Sequence, residues 1–290
     1  MKVLVTGATG FLGTNLVRAL REMGYKYVAG LGDLGGCVRR DLTKDCTGVY
    51  PILAEQPEVI FHLAAKCAGI GGNQAAPYTL FEENMRMGLN VIEMALAWKS
   101  RLVFVGTTCS YPEHLRVVTG FLGGFEEIQP LDEELDFHRG YPEPTNAAYG
   151  ITKRALRTAC EAAHQQHGLD YVYVVPANLY GPHDTFDDVN KRHVIPALID
   201  RLFQQRCIDD AEGRVMLWGT GKPTRDFLYV GDCVRGLIAA AEKYDRAVMG
   251  PLPFNLGSQR EISIAELARE VALLVDYRGE ISWDPSKPDG

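Results

Sequence analysis

KVLVTGATGFLGTNLVRALREMG, residues 2–24, is the stretch that decides the fold. Residues 2–6 form a short β-rich run that ends at Gly7, and FLGTNLVRALREMG then shows helical spacing closed by Gly24. Gly7, Gly10 and Gly13 sit between strand and helix. Glycines there let the turn tighten and let the backbone approach a pyrophosphate, whose charge meets the helix N-terminus. GxxGxxG alone is a weak signal; strand before and helix after make it a dinucleotide-site expectation.

Working outward, the pattern recurs as YKYVAGL, EVIFHLAA, a helix over 79–98, RLVFVGT at 101–107, a helix over 148–167 and YVYVVPANLYGP at 171–182. Strands alternating with helices predict an α/β chain with a doubly wound, mostly parallel sheet. After Pro182 the rhythm breaks into HVIPALIDRLFQQR, LWGTGKPTRDFLYV and a final helix over 263–275. The expected division is a dinucleotide-binding domain over 1–182 and a smaller substrate lobe over 183–290, interwoven with the sheet. Residues 113–145 show no sustained period and read as a long loop over the site.

With 30 Lys and Arg against 37 Asp and Glu, the net charge of −7 offers no broad basic field for nucleic acid or an anionic membrane. No apolar run approaches the roughly 20 residues of a membrane helix. The seven cysteines are scattered, with no CxxC pair and no secretory signal before them, which predicts a reduced, cytoplasmic protein. Histidines show no metal-ligand spacing, so no metal is expected. In AGLGDLGGCVRRD, Asp33 suits the ribose hydroxyls of NAD, whereas Arg39 and Arg40 suit a 2′-phosphate; the arginines tilt the expectation to NADP.

Tyr149 and Lys153 in YGITK stand at i and i+4 on one helix face. An ammonium beneath a phenol favours the phenolate, drawing a pKa of about 10 toward the range where it exchanges a proton with a carbonyl or alcohol. Thr107, at a strand end, adds a hydroxyl.

Glycine turn, Thr107, Tyr149 and Lys153 together resemble the extended short-chain dehydrogenase/reductase family. The segments FHLAAKCAGIGGN, GTTCSYP, GYPEPTNAAYG, PANLYGPHD, HVIPALI, LWGTGKPTRDFLYV, EISIAELA and SKPDG narrow the resemblance to its GDP-L-fucose synthase branch over nearly the whole chain. That resemblance implies epimerisation at C3 and C5 of GDP-4-keto-6-deoxy-D-mannose, then NADPH reduction at C4. Both protons are α to the ketone, so the chemistry needs a base, an acid and an oxyanion donor. The resemblance implies Cys109 as base and His193 as acid, with Tyr149 and Thr107 at the enolate oxygen.

It further implies that Gly7, Gly10, Phe11, Leu12, Gly13, Arg40, Asp41, Leu42, Leu63, Ala64, Ala65, Pro176, Asn178 and Leu179 border the cofactor with Thr107, Tyr149, Lys153 and His193. Asn178, Arg201, Trp218, Arg225 and Asp289 match positions that hold the GDP-sugar, and the helices over 79–98 and 148–167 are where such enzymes pair into homodimers. The other six cysteines read as small buried hydrophobes. Thr107 stands where the family more often has Ser, and Lys191 and Arg192 precede His193, where their charge is expected to lower its pKa by repulsion. The family continues beyond SKPDG. A dehydratase is disfavoured by Thr108 and Cys109 where it needs an acid and a carboxylate. Alternatives are an enzyme for another GDP-keto sugar, such as a heptose, and a non-catalytic dinucleotide sensor on the same fold.

Overall fold

A computed structural model describes residues 1–25, 27–31, 41–44, 56–67, 70–113, 117–119, 126–128, 131–134, 136–186, 192–208 and 213–287. Its first half runs β1 (Lys2–Thr6), α1 (Phe11–Glu22), β2 (Tyr27–Leu31), β3 (Val59–His62), α2 (Ile70–Ala75), α3 (Pro77–Trp98), β4 (Arg101–Val105), a hairpin of β5 (Val117–Thr119) and β6 (Glu126–Ile128), then α4 (Ala147–His167). There follow β7 (Tyr171–Pro176), β8 (Asn178–Tyr180), α5 (Val194–Ile208), β9 (Arg214–Trp218), β10 (Thr224–Tyr229), α6 (Val230–Lys243), α7 (Arg246–Met249), β11 (Phe254–Leu256), β12 (Glu261–Ser263), α8 (Ile264–Leu274) and β13 (Glu280–Asp284).

Six strands form one sheet in the order β11-β7-β4-β3-β1-β2, and every pairing in it is parallel. Strands buried on both faces explain the unbroken apolar runs of the sequence. On one face Leu4, Ile60, Leu102, Phe104, Tyr171 and Tyr173 pack against Val91, Met94 and Trp98 of α3 and Leu156 and Cys160 of α4. On the other, Val3, Val5, Phe61, Val103, Val172 and Val174 meet Leu16 and Leu20 of α1 and Val234, Leu237 and Ile238 of α6. This is the doubly wound α/β architecture expected from the alternation.

The chain leaves β1 for β2 on one side and returns to β3 on the other, so the crevice at the carboxyl ends of β1 and β3 is the switch point where such sheets bind ligands. There the Thr6 hydroxyl lies 2.8 Å from Nδ1 of His62, which is 1% exposed. His62 is thus a buried, partnered structural histidine.

Three features depart from the sequence expectations, the first being the antiparallel β5–β6 pair, which lies within the stretch 113–145 expected to be a loop. The run over 171–182 is two strands: β7 stays in the main sheet while β8, one residue later, pairs with β10 in a separate three-stranded sheet. A further departure is α6, a helix not expected from the sequence, whose buried Val230, Cys233, Val234, Leu237, Ile238 and Ala241 lie at helical spacing. Gly231 and Gly236 dilute its helical propensity; a Cβ on Gly236 would come within 2.6 Å of the Leu256 side chain, which shows how closely α6 rides on β11. A third core joins Leu198 and Leu202 of α5, Val215 and Leu217 of β9, and Leu267, Ala268 and Val271 of α8.

Candidate active site

The three glycines of the first turn have different jobs. Gly7 has φ +69°, and a Cβ on it would stand 2.8 Å from the Ala64 nitrogen; a Cβ on Gly13 would stand 2.0 Å from the Gly7 carbonyl oxygen. Those two are required by the protein's own packing. Gly10 has an ordinary φ of −78°, and an added Cβ would meet nothing closer than 3.4 Å. The absent side chain therefore clears space outside the fold, and Gly10 caps α1 with no side-chain hydrogen bond, leaving the helix amides for an anion. The turn fits a dinucleotide pyrophosphate.

Leu63, Ala64 and Ala65 follow β3 directly and are half-buried. Their loop is clamped by Asn84 of α3, which accepts from the Lys66 amide at 2.8 Å and donates to the Lys66 carbonyl at 2.9 Å. Asn90, further along α3, donates to the carbonyls of Leu42 and Lys44 at 2.8 Å each and so holds the Asp41–Leu42 step. Asp33, Arg39 and Arg40 lie outside the described residues.

β4 delivers the next group. After Val105, Gly106 passes so close to the Tyr173 ring that a Cβ would stand 2.4 Å from it. A single 3-10 turn over 108–110 follows, with the Thr107 hydroxyl accepting from the Cys109 amide at 3.2 Å. Gly150 of α4 presses on this turn: a Cβ there would stand 2.1 Å from the Cys109 carbonyl oxygen. Arg154 locks the two together, donating to the carbonyls of Ser110, Gly140 and Arg139. Thr107, Cys109, Tyr149 and Lys153 are thereby brought into one cluster.

Lys153 is 3% exposed and donates from Nζ to the Val105 carbonyl at 2.9 Å, with the nitrogen 5.8 Å from the Tyr149 ring centroid. Burial pulls its pKa down to about 8. The Tyr149 hydroxyl lies 3.3 Å from the Cys67 sulfur. Burial first, then Cys67, push the phenol well above its ordinary value, the reverse of the expected lowering by Lys153. The ammonium is turned to a backbone carbonyl, and burial outweighs it. Tyr149 rests as a protonated phenol. Burial likewise pushes the half-buried Cys109 thiol up, so the exchange near neutrality expected from its ordinary pKa is opposed by its surroundings.

His193 is exposed at the head of α5; its Nδ1 lies 3.4 Å from Oδ1 of Asp184. Among the described residues, no hydrogen bond, ion pair or ring contact links it to Thr107, Cys109, Tyr149 or Lys153. The neighbouring Arg192 guanidinium is drawn to Asp200 at 2.6 Å and to the Phe186 carbonyl; Lys191 lies outside the described residues.

Pro176 is buried at the end of β7, Leu179 is half-buried on β8, and Asn178 donates to the Asp226 carbonyl at 3.3 Å. Arg201 is exposed on α5, and Arg225 is half-buried on β10. Trp218 closes β9 at 63% exposed, with Lys287 Nζ 5.9 Å from the centroid of its ring. Asp289 lies outside the described residues.

Of the cysteines read as buried hydrophobes, Cys160 and Cys233 are buried but Cys67 and Cys207 are exposed. Cys67 lies in the loop after β3 rather than at a strand end, and Cys207 lies in the last turn of α5. Cys37 and Cys46 lie outside the described residues. The roles of Asn84, Arg154 and Asp184, and the contact of Cys67 with Tyr149, are not legible in the sequence. Each acts through a partner outside its own element, so periodicity and spacing carry no signal for them.

The family model described as the NAD dependent epimerase/dehydratase family matches residues 3–257. Over 290 residues the chain is 34% identical to the GDP-L-fucose synthase of Sinorhizobium fredii, covering 100% of this chain and 84% of that one. The chain belongs to the GDP-L-fucose synthase family. Among solved structures, this GDP-L-fucose synthase family member is similar to a GDP-L-fucose synthetase from Naegleria fowleri, at 26% identity and a TM-score of 0.79 over 99% of this chain and 82% of that one. It is also similar to a GDP-mannoheptose C4 reductase from Campylobacter jejuni solved with NADP bound, at 25% identity and a TM-score of 0.83 over 98% and 87%. The family is enzymatic, and the glycine turn described above lies at the switch point of the sheet.

Proposed function

We propose that this enzyme converts GDP-4-keto-6-deoxy-D-mannose to GDP-L-fucose by 3,5-epimerisation and NADPH-dependent 4-reduction. The observation that supports the reading is the close packing of Gly150 on the Cys109 carbonyl, which brings the turn that carries Cys109 against the helix turn that carries Tyr149. Cys109 as thiolate takes the proton from C3 or C5, and His193 returns one to the opposite face. Tyr149 and Thr107 donate to the enolate oxygen, and a phenol that rests protonated is matched to protonating the C4 oxygen on reduction. Gly7, Gly10, Phe11, Leu12, Gly13, Asp41, Leu42, Leu63, Ala64, Ala65, Pro176, Asn178 and Leu179 would hold the cofactor, with Arg40 for a 2′-phosphate. Bound there, NADPH supplies the reducing equivalent for C4; the NADP in the Campylobacter reductase supports that choice.

Arg201, Arg225 and Asn178 suit a diphosphate and sugar hydroxyls, Trp218 a base or sugar face, and Asp289 guanine N–H groups. The enzyme works as a cytoplasmic homodimer pairing through α3 and α4, a reading supported by the exposed Tyr78 and Leu89 on α3. Among the described residues, no helix is long and apolar enough to cross a membrane.

Incubation with GDP-4-keto-6-deoxy-D-mannose in D2O tests the reading. Deuterium at C3 and C5 without cofactor, and NADPH oxidation when it is added, are expected. A Cys109→Ser protein should bind NADPH but lose exchange, since a serine hydroxyl leaves no useful base at neutral pH; exchange that survives removes Cys109 from the mechanism. The Campylobacter heptose reductase favours one second reading, a GDP-keto-heptose substrate, and a higher kcat/KM on that sugar would select it.

A further inference from the structure

The turn that follows β8 is built to aim one carboxylate. Gly181 has φ +138° and His183, a non-glycine residue, has φ +71°, a left-handed backbone that L side chains rarely adopt. Asn15 of α1 donates to the Pro182 carbonyl at 2.8 Å and pins the turn to the glycine-turn helix. The outcome is that Asp184 points inward, its side chain 3% exposed. Oδ1 accepts from the Thr185 amide at 2.7 Å and stands 3.4 Å from Nδ1 of His193, while Oδ2 is buried with no hydrogen-bond partner among the described residues. A buried carboxylate with an orphan oxygen is poor for stability. It is the kind of group that proteins keep where chemistry requires it.

We propose that Asp184 is a positioning residue that holds the His193 ring with its Nδ1–H on the carboxylate, leaving Nε2 to face the sugar. This rests on the reading of His193 as the epimerisation acid. In the step it serves, the Nε2–H bond of the imidazolium breaks, the proton goes to C3 or C5 of the enolate, and the electron pair stays on Nε2. The ring ends as a neutral imidazole whose remaining proton is on Nδ1, against Asp184. A carboxylate at Nδ1 fixes which nitrogen works and steadies the cation between turnovers.

The test is a double-substitution cycle on the full enzyme, read as deuterium incorporation at C3 and C5 at saturating substrate. His193→Asn should slow exchange by about 10²- to 10⁴-fold. Asp184→Leu, near-isosteric and unable to accept a hydrogen bond, should slow it about 10- to 100-fold with KM little changed. The double variant should match His193→Asn alone, because the carboxylate has nothing left to position. Losses that multiply in the double variant, or parental exchange in Asp184→Leu, overturn the positioning role. A parent enzyme with no exchange at either carbon overturns the epimerase reading instead. Should Asp184→Leu fail to fold, 15N NMR of the histidine ring in the parent decides: a neutral His193 protonated on Nδ1 supports the proposal, and one protonated on Nε2 overturns it.

Discussion

The Tyr149 hydroxyl and the Cys67 sulfur are 3.3 Å apart, which joins the phenol of α4 to a thiol in the loop after β3. Cys67 contributes to holding the phenol's pKa up, after burial itself. Cys67→Ala removes that contribution, so the phenolate forms at lower pH. The alkaline limb of kcat/KM for the reduction should therefore move to lower pH. A profile that superimposes on the parent's would show that burial alone sets the proton on Tyr149.

Cys109 leads to a prediction of opposite sign. Burial holds its thiol above the ordinary value, so the thiolate is scarce at neutrality and grows tenfold per pH unit below the pKa. Exchange at C3 and C5 should climb with pH across the neutral range in proportion to the thiolate. A plateau already reached by pH 7, measured by NMR of the deuterated sugar, contradicts this.

Lys153 has a signature in stability. Its ordinary value of 10.5 falls to about 8 in the fold, so between these limits the unfolded chain holds a proton that the folded one has released. Stability contributed by this group therefore rises with pH through that window; below it both states are charged and the fold bears the cost of a buried ammonium. Cofactor-free enzyme should gain up to about 3 kcal/mol from this group between pH 7.5 and 10. Lys153→Met should flatten that rise in urea melts, leaving whatever slope other groups supply.

The glycines of the first turn should separate folding from binding. Gly13→Ala drives a methyl to 2.0 Å from a backbone oxygen and should cost about 1–3 kcal/mol or more. Gly10→Ala has room within the fold and should leave the stability within about 0.5 kcal/mol of the parent. Its NADPH dissociation constant should nonetheless rise about tenfold or more, or about 1.4 kcal/mol. Fluorescence titration of NADPH beside thermal melts checks both.

The sheet was legible because buried parallel strands are written as contiguous apolar runs, and RLVFV and YVYVV are runs of that kind. The glycine turn and the Tyr149–Lys153 face were legible because their members lie within one local element. Spacing could not show that α6 returns to the main sheet, that Asn84 clamps the Cys67 loop or that Asp184 meets His193. Those relationships join residues from different elements and depend on how the elements pack. The direction of the Tyr149 pKa was misread for the same reason: a helical spacing gives the distance to Lys153 but not the burial around the hydroxyl.

The single residue Ala177 between β7 and β8 has a mechanical consequence. The chain passes there from the cofactor sheet into the small sheet, returns with α6 and β11, and leaves again at β12. The two sheets are stitched together rather than tethered. A chain cut after Pro182 would take the edge strand β11 and one covering helix away from the sheet they complete, so neither piece should survive as an independent unit. The lobes are expected to melt in one transition, and the sugar and the reducing cofactor to be gripped by a single body.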